Sequence, residues 1–566
     1  MSSLPSYYQD ELSHLRELGR EFARLHPGSA SHLSEDGSDP DVERLLEGFA
    51  FLTSRVRQKL ADDLPEISHA LLDRLWPGFL RPIPSMTMMQ FTPASQAREA
   101  VLVPRGALVE SVPLDGTRCG FRTAYDTEVT PLRLTAVELV PDDGGVRMGF
   151  QLPEGASVRD LGISRLRLHL SGSPASARWL RWALLSACRG VRVVVSDTQR
   201  TYELGIEAIQ PVGFAREHAL LPDEPRSLPA LRLLQEHFAF PEKFLFVDIV
   251  GLDSIAGLAQ APSFALIFRL DRIPVGAPSL SDADIALNCT PAVNLFAGDA
   301  DPIHLDHRRV EHRIRVAGSD PAHAEVFSVG RVVGTARGGQ MRAYECMDGP
   351  CEAIVTSVAR YQLRRTPSLN GIGTDVSILF GVDPSSPVET MSIGLSCSNR
   401  GLPANLGIGD VKTSGRGVPS GVRCSNRTRP TASLPPPLGV GTGWVLLSHL
   451  ATSMDSLLDA DALTRLLSLH DRRQSAAGSP DYGILAVRGE RSTRLVDGLP
   501  VRGIAIDLTM GSSGTGHEGC HLLVSVLDEL FSQSVSLNSF SQVTVIDQTG
   551  VVRDRRPARL GTRTLV

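Results

Sequence analysis

Residues 39–86 read DPDVERLLEGFAFLTSRVRQKLADDLPEISHALLDRLWPGFLRPIPSM. Asp39 is a capping residue followed by Pro40, and proline suits the first helical turn because its missing N–H has no intrahelical partner there. Val42, Leu45, Leu46, Phe49, Leu52, Val56 and Leu60 then recur at helical spacing and predict a long amphipathic helix. A second helix is predicted from about Asp63 to Trp76, with Ile67, Leu71, Leu72 and Leu75 on its apolar face. It ends at Pro77, and Pro82-Ile83-Pro84 makes a rigid exit. Upstream, Ser6 with Gln9 three residues on reads as a helix start. Tyr8, Leu12, Leu15, Leu18, Phe22 and Leu25 form its stripe, and Pro27 closes it. Residues 1–92 are therefore expected to be a helical N-terminal segment. The stripe on the central helix is broad enough to meet more than its two short neighbours, which makes Leu45, Leu46, Phe49, Leu52 and Val56 candidate protein-interface positions. The alternative is a self-contained three-helix subdomain that uses the same residues internally.

Downstream of about residue 93 the hydrophobic period changes from helical to two. In RLRLHL (165–170), Leu166, Leu168 and Leu170 alternate with Arg165, Arg167 and His169, which predicts a strand with one wet face. LRLTAVELV (132–140), VRVVVSD (191–197), FLFVDIV (244–250) and FALIFRL (264–270) are similar or more buried, with one short helix near Trp179–Arg189. Residues 93–330 are read as a β-rich middle domain, and 331–566 as a mixed α+β C-terminal domain. Within the latter, the stretch from Arg400 to Gly443 is rich in Gly, Pro, Ser and Asn. It is expected to be a long irregular excursion making contacts outside its own domain, since structureless loops of that length are usually functional or ordered by a partner. After it come a helix carrying Leu458, Ala462, Leu466 and Leu469, a strand at 502–510, and a helix carrying Leu523, Val526, Leu527, Leu530 and Phe531. The expected class is α+β, multidomain, without a repeat of fixed period.

At 566 residues the chain exceeds the size at which one core stops growing, so several domains are expected. Hydrophobic residues at 42% and a mean hydropathy of −0.02 fit a folded chain with a polar surface. The net charge of −6 lacks the basic excess of nucleic-acid binders, so no nucleic-acid partner is expected. Lysine occurs only at positions 59, 243 and 412, so nearly all the cationic residues are Arg, which suits bidentate pairing with carboxylates at protein contacts. The eight cysteines form no CxxC pair. MSSLPSYYQDELSHL has neither a basic nor an apolar leader region, and no long apolar run follows. A cytoplasmic protein without direct membrane insertion is expected.

Several segments imitate chemistry. His517-Glu518-Gly519-Cys520-His521 satisfies HExxH, in which two imidazoles one helical turn apart hold zinc beside a catalytic Glu. Gly511, Gly514, Gly516 and Gly519 place His517 ahead of the helix in this reading, and no Glu or His follows Glu529 as a third ligand. A zinc metalloenzyme remains the alternative function. His304, Asp306, His307 and His312 form a second cluster, set against a polar strand or turn in which Asp306, Arg308, Arg309 and Glu311 make ion pairs. Gly407-Ile408-Gly409-Asp410-Val411-Lys412-Thr413 lacks the glycine a phosphate loop needs before its lysine. No nucleophile elbow occurs. The tail VVRDRRPARLGTRTLV (551–566) has five Arg against one Asp and is either a solvated end or a dock for an acidic partner.

Residues 39–86 resemble the TssF family, also called VasA or ImpG, of type VI secretion baseplates. The resemblance continues through YYQDELSHLRELGREFARLHP, HFAFPEKFLFVDIVGL (237–252), NLFAGDADPIHLDHRRVEHRIRV (294–316), LSCSNRGLPANL (395–406) and LVSVLDELFSQSVSLNSFSQV, in order over essentially the whole chain. It implies a fold like that of a phage-baseplate wedge. It also implies a structural role with no catalytic residue, cofactor or metal, in a wedge where a pair of TssF copies joins TssG with TssK and TssE. Neighbouring wedges would surround the spike hub of a bacterial cytoplasmic baseplate docked to the inner-membrane complex. A baseplate subunit of a related phage-derived particle is a further alternative. The HEGCH segment departs from the family pattern, which lies in the helix after it.

Overall fold

The structure, a computed structural model, describes residues 8–9, 12–18, 40–61, 65–76, 78–94, 96–140, 144–222, 229–271, 273, 277–347, 359–368, 373–381, 386–438, 457–473, 482–496, 499–511 and 516–561. They fall into two compact units, one of Met1–Arg74 with Pro437–Leu450 and one of Leu75–Pro436 with Ala451–Val566. In the first, helix α1 (Pro40–Ala61) starts at the first-turn proline as expected, and helix α2 (Pro65–Leu75) follows. Residues 12–18 are helical too, while Pro27 and the rest of the stripe before it lie outside the described residues.

The second unit is built from sheets. A six-stranded sheet has Met86–Pro93 near one edge, paired with Cys289–Val293 on one side and Val422–Asn426 on the other. Met86, Met88 and Met89 are fully buried, which explains a strand that reads as nearly continuous apolar sequence. A five-stranded sheet (Thr201–Leu204, Cys188–Val195, Ser263–Leu270, Gly145–Gln151, Arg133–Val140) shares one core with a four-stranded sheet that includes Arg165–Leu170 and Phe246–Val250. Helix α3 (Pro174–Trp182) starts earlier than its sequence indicates, because Ser173 caps it by accepting from the Ser176 N–H. It runs on as a π-turn, Ala183–Ala187, and gives way to a strand at Cys188. Helix α4 (Pro229–Ala239) has no counterpart in the sequence reading. Its polar residues Arg232, Gln235 and Glu236 are buried, which erased the amphipathic signal.

Two expectations about strands need correction. His169 is not on a wet face: it is 3% exposed and packs on Phe246 at 4.6 Å. The arginine face is half-buried, and Arg165 and Arg167 are accommodated by Asp248. The 330/331 boundary falls inside the strand Glu325–Ala336 of an eight-stranded sheet that also takes in Phe296–Asp299 and Glu389–Ser398.

The Gly/Pro-rich excursion is corrected as well. Val411–Ser414 and Val422–Asn426 are strands of the six-stranded sheet, and Leu402, Leu406, Val411, Val422 and Cys424 belong to its core. Gly409, Gly417 and Gly421 supply turns at positive φ. Asn426 accepts from the Val411 N–H at 2.9 Å and donates to the Gly407 and Thr428 carbonyls, so side chains replace the regular ladder. Order without periodicity is the result; residues 439–443 lie outside the described residues.

The C-terminal sheet is a hairpin, Ile484–Val496 with Leu499–Met510, followed by a crossover through a further helix to the parallel strand Ser539–Asp547. Before it stands helix α5 (Ala460–His470), capped by Asp459, and the crossover helix is α6 (Gly516–Ser534). The Arg-rich tail adds Val552–Arg555 and Arg559–Leu560 to this sheet. Arg553 pairs with Asp547, Arg556 with Asp554 and Arg559 with Asp528 and Glu529, while Arg555 makes no ion pair among the described residues.

Candidate assembly surface

Helix α1 has two unlike faces. Ala50 and Ser54, one turn apart, are fully buried, and Leu46 and Thr53 beside them are half-buried. Leu45, Phe49 and Leu52 are 74%, 59% and 61% exposed, with Phe51 also exposed. Of the predicted apolar stripe, Leu45, Phe49 and Leu52 face out and Leu46 is half-buried, whereas the fully buried Ala50 and Ser54 lie beside that stripe. The candidate positions Leu45, Phe49 and Leu52 do not form the core that a self-contained bundle would require of them, and Leu46 is only partly covered. The Val56 side chain lies outside the described residues. Three or more large apolar side chains aligned on one helix face outward make the kind of patch that marks a protein contact.

The second unit buries a set of charged groups at and around one of the segments that carry the family resemblance, 237–252. Glu236 lies at the centre, wholly withdrawn from solvent, with the Leu220 and Leu221 N–H groups donating to its Oε1 at 2.9 and 3.0 Å. Lys243 donates to its Oε2, and the Tyr125 hydroxyl donates to the Lys243 carbonyl at 2.9 Å. Burial pushes the Lys243 ammonium down to about 8. Nearby, Arg167 grips Asp248 bidentately at 2.7 and 2.8 Å. Arg400 adopts φ 50°, its guanidinium donating to the Ala324 carbonyl and to Asp375. Such groups hold sheets in one arrangement, and the cavity beside Arg165 and Arg167 has room for about one water.

The metal-like segments resolve into packing. Helix α6 begins at Gly516, so His517 is inside the helix rather than ahead of it, one turn before His521. The glycines do not delay the helix because its following turns, from His521 on, are anchored by burial. The His517 and Glu518 side chains lie outside the described residues. His521 is 6% exposed, with Arg181 donating to Nδ1; a guanidinium can only donate, so the ring proton sits on Nε2 and goes to Ser186 Oγ at 2.6 Å. Arg181 is itself buried and pushed down to about 9, by desolvation first and by Arg556 second. In the other cluster, His304 sits in an exposed strand position, His307 Nε2 faces the Ser386 carbonyl at 3.1 Å, and His312 packs near Phe380. Asp306 is 3.9 Å from Arg308 and Glu311 3.4 Å from Arg364, ion pairs of the kind the sequence reading expected, while Arg309 makes none among the described residues. Among the described residues, no three His, Cys, Asp or Glu side chains are grouped to hold a metal.

The model of a family described as Type VI secretion system, TssF matches residues 1–563. The chain is 30% identical over 602 residues to the type VI secretion system component TssF1 of Pseudomonas aeruginosa, covering 96% of each. It superimposes on a chain of a type VI secretion TssK-TssF-TssG baseplate subcomplex with a TM-score of 0.77 at 26% identity, over 92% of this chain and 99% of that one. A chain of a type VI secretion baseplate complex shares the fold, with a TM-score of 0.68 at 24% identity over 100% of both.

Proposed function

The chain belongs to the TssF family and is a type VI secretion baseplate subunit, and we propose that it assembles through the outer face of α1. In this reading TssG meets Leu45, Leu46, Phe49, Leu52 and Val56. TssK, TssE, a second TssF copy and neighbouring wedges complete the assembly around the spike hub. The baseplate sits in the bacterial cytoplasm against the inner-membrane complex, and the chain performs no catalysis. The exposure of Leu45, Phe49 and Leu52 on one face carries the proposal. The buried polar groups support it, since they are consumed in holding sheets together. A subunit that carries load and then permits contraction needs a body of this kind and a separate contact surface.

The test is co-purification of the full chain with TssG. A Leu45→Asp, Phe49→Asp, Leu52→Asp variant is expected to fold with unchanged melting and to lose TssG. Retention of TssG at the parent level would refute the assignment.

A further inference from the structure

Strand Ile484–Val496 is the edge of the C-terminal sheet, and among the described residues it pairs with Leu499–Met510 alone. The third strand, Ser539–Asp547, reaches only to Arg502, which stands opposite Thr493. Beyond that pair the hairpin is a two-stranded ribbon, an arrangement of marginal stability in water unless something packs on it. At the base of one face Val487, Ile506 and Leu508 are buried. Gly489 then admits Leu458, whose Cδ1 would lie 2.3 Å from a Cβ there. After this the cover ends: Arg491, Thr493 and Leu495 follow on the same face, all exposed, Leu495 at 76%.

The edge strand carries Arg488, Arg491 and Arg494 against a single acidic residue, Glu490. The tail arginines Arg553, Arg556 and Arg559 each have a carboxylate partner. Among the described residues Arg488, Arg491, Arg494 and Arg502 make no ion pair, although Arg494 lies over the Phe540 ring at 5.8 Å. Register places Arg491 opposite Ile504, Arg502 opposite Thr493 and Leu495 opposite Pro500. Arg491 and Arg502 are thus diagonal neighbours on one face, with Leu495 next to Arg502. Two such edges repel each other, which disfavours a second copy as occupant and is a known way of keeping edges apart.

We propose that this edge receives an extended acidic segment of a partner protein. The segment adds as a strand beside Ile484–Val496, with a carboxylate against Arg491 and Arg502. An apolar side chain four residues away on the same face lies against Leu495. Main-chain hydrogen bonds supply affinity and the two side-chain contacts supply selection.

The test uses the full chain and a labelled Thr-rich peptide carrying Glu and Val four positions apart, with a Lys-for-Glu peptide as control. Expected are binding of the Glu peptide only, slowed amide exchange confined to 484–496, and affinity about tenfold weaker in R491E/R502E. Raising salt from about 50 to about 300 mM should weaken binding as well. Absence of binding, protection elsewhere, or unchanged affinity in R491E/R502E overturns the proposal. So does tighter binding of duplex DNA at the same amides, or a dimer of the unaltered chain that R491E/R502E dissolves. If R491E/R502E does not fold, exchange in the unaltered protein decides alone.

Discussion

Asn294 and Asn399, 105 positions apart, hold one another reciprocally: the Asn399 N–H donates to the Asn294 carboxamide oxygen at 2.7 Å, and Asn294 Nδ2 donates to Asn399 Oδ1 at 2.8 Å. Asn294 also donates to the Gly120 carbonyl, and the Gly120 N–H donates back to Asn399. Both side chains are buried, and the pair joins the six-stranded sheet to the end of the Glu389–Ser398 strand. Asn399→Leu leaves several of these groups unsatisfied and is expected to cost about 2–4 kcal/mol. Denaturant unfolding measures it; a change below about 0.5 kcal/mol would show that the network contributes nothing to stability.

Glu236→Gln strands the Lys243 ammonium where no solvent reaches it. Removing one partner of a buried ion pair typically costs about 3–5 kcal/mol, so this variant should be severely destabilised. Adding Lys243→Met removes the orphaned charge, and the double variant is expected to recover a substantial part of the loss. A double variant as unstable as Glu236→Gln alone would mean that Glu236 acts through the Leu220 and Leu221 amides or through Arg232, whose Nη1 lies 3.5 Å from its Oε1, instead.

Burial, with Arg427 adding, holds the His169 imidazole down to about 3, and its ring nitrogens have no hydrogen-bond partner among the described residues. Burial likewise lowers His218 and His237 to about 4. Each stays neutral in the fold at pH values where the unfolded chain takes up a proton. At these three histidines the unfolded state therefore binds more protons below about pH 6.5, so the stability they contribute is present above that pH and is lost as pH drops from there towards 4. His169→Leu should flatten part of that slope and leave stability at pH 7 within about 1 kcal/mol of the parent. Urea midpoints at pH 7 and pH 5 check it. An identical acid loss in parent and variant would remove His169 from the account.

The two faces of α1 are separable by substitution. Ala50→Asp puts a charge on the buried face and should raise amide exchange across 40–61 by roughly a hundredfold, equivalent to about 3 kcal/mol. Leu45→Asp, on the exposed face, should leave exchange unchanged and affect partner binding only. If both variants open the helix equally, Leu45 is a packing residue.

Where one physical signal dominated, the sequence was legible. Asp39-Pro40 started α1 because a fixed φ and a lost N–H are tolerated there, and RLRLHL is a strand because alternation survived its burial. Helix α4 escaped because Arg232, Gln235 and Glu236 are buried, Glu236 being satisfied by the Leu220 and Leu221 N–H groups that precede the helix, which no helical pattern records. Residues 400–438 escaped for a related reason. Their order comes from Asn426 and from Met86, Met88 and Ile83 more than 300 positions upstream, to which Thr431, Arg427 and Leu434 bond through backbone.

The sequence by itself determined the family, the existence of α1 and the apolar content of its stripe, because these rest on residue identity and local spacing. Only the tertiary structure decided that Leu45, Phe49 and Leu52 of that stripe face outward. Helical periodicity assigns Ala50 and Phe49 to adjacent positions without saying which one a neighbour covers, and the answer depends on close approach of chain elements that sequence spacing does not encode. The same holds for the arginines. Composition supplied them throughout, and folding brought Asp547, Asp528 and Glu529 to the tail while leaving Arg491 and Arg502 without a carboxylate among the described residues.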